Sequence, residues 1–134
     1  MYTYPDVVIV CETPRFDDKQ KDTVLNPTVL VEVLSKSTES YDRGTKFEHY
    51  RALESLTDYV LISQERALVE HRMRQGSDKW LMSYYMGLQT IMPLASIGCE
   101  LPLAEIYHKV EWYDDDAARG WLRAVKEAQE PYLA

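Results

Sequence analysis

The sequence predicts an α+β domain built on a mixed β-sheet with helices, and three observations carry that prediction. Two β-branched runs, Val7-Val8-Ile9-Val10 and Val29-Leu30-Val31-Glu32-Val33-Leu34, read as buried strands. Asp42, Lys46, Tyr50 and Leu53 fall on one face at helical spacing, ahead of a third short apolar run, Tyr59 to Ile62. Two further segments flank Gln75-Gly76-Ser77-Asp78, the pattern of a hairpin.

The first strand is expected over Pro5 to Glu12, followed by a polar loop from Thr13 to Pro27 marked by Pro14, Asp17-Asp18, Asn26 and Pro27. The second covers Thr28 to Leu34 and is apolar on both faces except at Glu32. Ser37, Thr38 and Ser40 then offer N-cap hydroxyls to a helix expected over Asp42 to Leu53. The hairpin arms are Leu68 to Met73 and Trp80 to Tyr85. Ile91 to Ile97 reads as a further strand or extended edge, and Leu101 to Tyr107 as a short helix with Pro102 near its first turn. After Asp114-Asp115-Asp116, residues Ala117, Trp121, Leu122, Val125 and Ala128 are spaced for an amphipathic helix that stops before Pro131.

At 134 residues the chain suits a single core, and a composition 46% hydrophobic and 28% charged excludes wholesale disorder. Fifteen Lys and Arg against twenty-two Asp and Glu leave a net charge of −7. That balance argues against wrapping duplex DNA through a general basic surface, because such binding draws on phosphate neutralisation. An enzyme that grips a phosphodiester locally through a metal ion is not excluded. Cys11 and Cys99 form neither a CxxC motif nor a bridge framework, and they read as small apolar fillers in a reducing cytoplasm. No run approaches the roughly 18 apolar residues of a membrane helix, and the N-terminus lacks a signal-peptide pattern. A soluble, cytoplasmic protein is the expectation.

Two carboxylates sit where a buried strand should not hold them. Asp6 opens the first run, and Glu32 lies inside the second between Val31 and Val33. Such a group is costly unless it is paired, hydrogen-bonded or bound to metal. Adjacent strands would bring the two side by side, where their repulsion favours a divalent cation, and oxygen-only ligation suits Mg²⁺. Each acid also has a structural reading: Glu32 facing solvent, Asp6 capping a turn after Pro5. Lys46, on the same helical stripe as Tyr50 and Leu53, needs a partner; an active-site carboxylate or a phosphate would serve, or simply Asp42 four residues before it.

Several short motifs occur in a fixed order. They are Tyr4-Pro5-Asp6-Val7-Val8, Asn26-Pro27, Val31-Glu32-Val33-Leu34-Ser35-Lys36-Ser37-Thr38 and Tyr41-Asp42-Arg43-Gly44-Thr45-Lys46. With Tyr59-Val60-Leu61-Ile62 and Ser96-Ile97-Gly98-Cys99-Glu100-Leu101-Pro102-Leu103, they resemble the Uma-two family of the PD-(D/E)XK nuclease superfamily. The resemblance runs from about Tyr4 to Val110. It implies a restriction-endonuclease-like core over 1–112, with 113–134 as a helical extension. Asp6 would match the PD acid and Glu32 the acid of (D/E)XK, both holding Mg²⁺ with the backbone carbonyl of Val33. The superfamily lysine is absent, because Leu34 stands in its place, and Lys46 is the matching residue of the following helix. The implied activity is hydrolysis of DNA phosphodiesters by metal-activated water attacking in line, with Asp6, Glu32 and Lys46 as catalytic residues. The alternative is a catalytically silent interaction module that keeps the fold.

Relatives carry a further segment before the PD element, with a helix and two strands. A first strand apolar on both faces, without that segment, leads us to expect a homodimer that covers it. Arg66, Arg72, Arg74 and Lys79 form the main basic concentration, readable as a phosphate contact or as a solvated strand face. His49, His71 and His108 lack metal-ligand spacing and are expected at the surface or the core edge.

Overall fold

Strand order in the sheet follows chain order, and the reason lies in where the chain can turn. The computed structural model describes residues 5–16 and 24–110. Five strands, β1 (Val7–Ile9), β2 (Val29–Leu34), β3 (Asp58–Ser63), β4 (Leu68–Arg74) and β5 (Trp80–Met86), form one sheet in the order β1-β2-β3-β4-β5. All neighbours are antiparallel except β2 and β3, which run parallel. A parallel pair needs a crossover, and α1 (Glu39–Arg43) with α2 (Thr45–Tyr50) supplies it. The expected hairpin is β4–β5, paired from Leu68↔Met86 to Arg74↔Trp80. A separate two-stranded ribbon of β6 (Ile91–Leu94) and β7 (Cys99–Pro102) leads into α3 (Leu103–Ile106). The architecture is α+β with a mixed sheet.

The central strands bury both faces. On one, Leu30, Leu34, Tyr59 and Leu61 pack with Leu56 and with Tyr50 and Phe47 of α2. On the other, Val29, Val60 and Val69 pack against Met92, Leu94, Leu103 and Tyr107 from the ribbon and α3. Each large apolar side chain fully buried contributes about 1.5–3 kcal/mol relative to exposure. This two-faced burial explains why β2 and β3 read as near-continuous apolar runs.

The single helix expected over Asp42 to Leu53 is two short helices instead. The chain breaks at Gly44 (φ −106°, ψ −86°), where a Cβ would stand 3.2 Å from the Ser40 carbonyl. The sheet holds the broken end. Tyr59 donates its hydroxyl to the Asp42 carbonyl at 2.9 Å, and Arg72 donates to the Arg43 carbonyl at 2.9 Å. These are the carbonyls that a helix terminus leaves without intrahelical partners.

Other expectations also need correction. The first strand is shorter than Pro5 to Glu12 and is not buried: Val7 is 47% and Val8 37% exposed. Among the described residues β1 pairs only with β2, so the β-branched run marks an edge strand, and its outer face has no strand beside it. Leu101 and Pro102 belong to β7; Pro102 is extended (φ −65°, ψ 136°) and precedes a helix that starts at Leu103 and ends at Ile106. The segment Ile91 to Ile97 is a strand only to Leu94 and then a 3₁₀ turn. Cys11 and Cys99 are exposed, not core fillers. The helix expected after Asp114 lies outside the described residues. No helix among the described residues is long and apolar enough to cross a membrane.

Candidate active site

The β1–β2 ladder pairs Val7 with Val31 and Val8 with Leu30, and continuing that register sets Asp6 opposite Glu32. Directly opposed residues of an antiparallel pair share a face, so the two acids stand on the same side of the sheet. The same register sets Pro5 opposite Val33. A prolyl nitrogen has no hydrogen to give the Val33 carbonyl, so the ladder ends there. The Asp6 side chain takes over: its Oδ2 accepts the Val33 backbone N–H at 2.7 Å. A residue's N–H and C=O point to the same side of a strand, which turns the Val33 carbonyl toward the Asp6 edge.

Glu32 is 2% exposed and sits on the helix-covered face between Leu30 and Leu34. Lys46 reaches it from α2, its Nζ 2.9 Å from Glu32 Oε1 and 3.4 Å from Asp42 Oδ1. Both carboxylate partners weighed from sequence are therefore present together. Asp42, itself 3% exposed, also accepts the Thr38 hydroxyl at 3.1 Å. Lys36, by contrast, is an exposed side chain 3.6 Å from Glu65. It is Lys46 that meets the acid.

Burial dominates the electrostatics. It raises the Glu32 carboxyl from 4.5 to about 7, against the opposing pull of Lys46, and the nearby Asp42 and Asp6 charges add to the rise. Burial alone would lower the Lys46 ammonium, but its hydrogen bond to Glu32 and the charges of Glu32 and Asp42 hold it above the ordinary lysine value. Because Glu32 binds its proton more tightly folded than unfolded, this residue's contribution to stability falls as pH rises from about 4.5 to about 7. The site thus holds strain of charge that a cation would relieve.

A second charged group lies across the sheet on the same face. Glu32 pairs with Leu61, Leu61 with Glu70, and Glu70 with Tyr84, one row running over four strands. Glu70, 2% exposed, receives Arg43 at 2.8 Å and Arg72 at 3.2 Å. A hydrogen bond to Glu70 raises the Tyr84 hydroxyl above its ordinary value. The sequence signal for Glu70 is its place on the β4 face that alternates Leu68, Glu70, Arg72 and Arg74, an acid next to an arginine that can pair with it. The basic concentration is broken up by the fold. Arg72 also lies over the Phe47 ring at 4.6 Å, while Arg74 donates to the carbonyls of Leu56, Arg51, Leu53 and Ser77 and stacks on Trp80. Those two arginines brace the helices and the hairpin.

Asp6, Glu32 and the Val33 carbonyl make an oxygen donor set at one strand end. No cluster of three or more His, Cys, Asp or Glu placed for metal occurs among the described residues. Two carboxylates and a carbonyl fit Mg²⁺, which keeps several waters and takes few protein ligands. The set does not fit a closed zinc site.

The family model for Uma2, described as "Putative restriction endonuclease", matches residues 1–104. An uncharacterized protein of Synechocystis sp., sll1609, is 41% identical over 86 residues, 64% of this chain and 49% of its own length. A second from the same organism, slr1290, is 38% identical over 106 residues, 79% of this chain and 54% of its own. The chain therefore spans about half the length of the curated relatives it matches. A crystal structure from Anabaena variabilis, described as a putative nuclease belonging to DUF820, superposes with a TM-score of 0.52. That match is 12% identical and covers 69% of this chain and 51% of the other, a likeness of fold.

Proposed function

The chain belongs to the Uma2 family, and from that membership we propose that it is a Mg²⁺-dependent endonuclease-like domain hydrolysing DNA phosphodiesters. The observation that carries the reading is the buried Glu32–Lys46 pair beside Asp6 on neighbouring strands. Asp6, Glu32 and the Val33 carbonyl would hold the ion. Bound Mg²⁺ supplies an acidified water and offsets charge on the scissile phosphate. The Lys46 ammonium, held by Glu32 and Asp42, would balance charge that develops at phosphorus. Asp6 keeps its carboxylate aimed by accepting the Val33 N–H. The nuclease-like unit is assigned to 1–112, with 113–134 as an extension, in a cytoplasmic protein.

Calorimetric titration with Mg²⁺ tests the site. We expect one ion per chain, with affinity rising as pH climbs through about 7, because Glu32 must lose its proton to bind. Asp6→Ala should weaken binding by about tenfold or more. Undiminished binding in that variant would remove Asp6 from the site. We also propose a homodimer covering the exposed outer face of β1, where Val7 and Val8 lie open. Light scattering should return twice the chain mass at micromolar concentration; a single-chain mass unchanged on concentration refutes it.

A further inference from the structure

A cleft of about 270 Å³ opens at the C-terminal ends of the parallel strands β2 and β3, on the same face of the sheet as Glu32. Its floor includes Leu34, Ser63 and Leu68, the next inward-pointing row beyond Glu32, Leu61 and Glu70. One such step along a strand is about 6.6 Å. The cleft is therefore the immediate continuation of the candidate active site along the chain direction. We propose that it seats a backbone phosphate of the DNA strand, next to the phosphodiester held at Asp6, Glu32 and Lys46. This rests on the nuclease reading and adds to it a place for the flanking strand.

The lining matches an anionic, sequence-independent ligand. Ser35 and Ser63 bring hydroxyls and Gln64 an amide, and Lys36, Arg43 and Arg66 bring three cations against the carboxylates of Glu39 and Glu65. In a chain of net charge −7, a cleft with a local positive excess is where a phosphate would be drawn. Arg43 is the pre-set element. Its guanidinium is anchored at 2.8 Å to buried Glu70, and its other partner, Glu39 at 3.1 Å, is a side chain half exposed at the cleft wall. A phosphate taking the place of Glu39 would meet an arginine already oriented, with less entropy left to lose. The Lys36–Glu65 pair, at 3.6 Å between side chains 89% and 56% exposed, has little holding it together and can exchange partners.

The test is anisotropy of a labelled DNA duplex over a salt series, with Ca²⁺ replacing Mg²⁺ to limit cleavage. For Lys36→Ala/Arg66→Ala we expect binding weakened at least about tenfold at low salt, and a slope of log affinity against log salt reduced by about 1 to 2. Mg²⁺ binding should stay as in the parent, since both residues line the cleft and neither is among the groups that perturb Glu32. Lys79→Ala, at the far end of the sheet beyond β4, should leave the slope unchanged. If the parent binds DNA and the double variant binds equally well with the same slope, the cleft assignment falls while the nuclease reading stands. A loss at Lys79 as large as at the cleft also overturns it. If the parent shows no DNA binding at any salt concentration, both fall together.

Discussion

Replacement of Glu32 by glutamine is expected to lower DNA cleavage at least about a hundredfold, or about 2.7 kcal/mol of transition-state stabilisation, while leaving the fold intact. The two halves of that result have one cause. Glu32 is a carboxylate buried under the crossover helices, with its carboxyl raised to about 7. Above that pH the folded chain carries an ionised group that its surroundings disfavour. Glutamine keeps the shape and removes the charge, and Lys46 retains Asp42 at 3.4 Å as counter-charge. The thermal midpoint at pH 8 should therefore match or exceed that of the parent, although the proposed metal ligand is gone. A structural carboxylate would behave in the opposite way: its loss would cost stability and spare activity. Full cleavage by Glu32→Gln would end the assignment of this site, and a collapsed fold would make Glu32 a packing residue.

Lys46→Met separates the two roles of the pair. It leaves Glu32 and Asp42 as buried acids without a cation, so added Mg²⁺ should raise the variant's thermal midpoint more than the parent's. No extra metal response would mean that Glu32 is not aimed at an ion shared with Asp6.

Much of this geometry is legible in the sequence, and the reasons differ by residue. The acid in an apolar run at Glu32 and the helical stripe carrying Lys46 are local patterns, and the geometry brings Lys46 onto Glu32 as that stripe implies. The hairpin followed from its turn residues. The break at Gly44 did not, because it depends on Tyr59 and Arg72 capturing carbonyls from strands that arrive later in the chain. The exposure of Val7 and Val8 is not legible, since β-branching fixes extended backbone but not which strand is the edge. Glu70 was passed over for a related reason. Its partner Arg43 comes from a helix 27 residues earlier, and Tyr84 meets it only through the β4–β5 register. Arg72 and Arg74 are readable from composition as a phosphate contact or as a solvated strand face, yet they serve as internal braces.

The face opposite the candidate site carries the largest expected effect on stability. Asp58 is fully buried at the start of β3 and accepts His71 Nε2 at 2.6 Å, the Thr57 hydroxyl at 2.6 Å and the Ser96 hydroxyl. Ser96 lies on the turn between β6 and β7, so this carboxylate ties the ribbon to the main sheet. Burial by itself would raise the Asp58 carboxyl, but the hydrogen bonds from His71, Ser96 and Thr57 outweigh it and hold the group below its ordinary 3.8. Asp58→Ala leaves His71 buried without that partner and opens a cavity, a loss of about 3–5 kcal/mol. The thermal midpoint should drop by more than about 10 °C. Ser96→Ala, losing one hydrogen bond at a partly open position, should cost about 1 kcal/mol and stay folded for comparison. The sign of the pH dependence follows from the lowered carboxyl. The stabilisation is complete above 3.8, where the unfolded carboxyl is ionised too, and it shrinks as pH falls toward the depressed folded value. The gap between the parent and Asp58→Ala should accordingly be widest near neutrality and narrow below pH 3.8. A gap constant across that range would mean that the cavity, not the charged hydrogen-bond cluster, sets the cost.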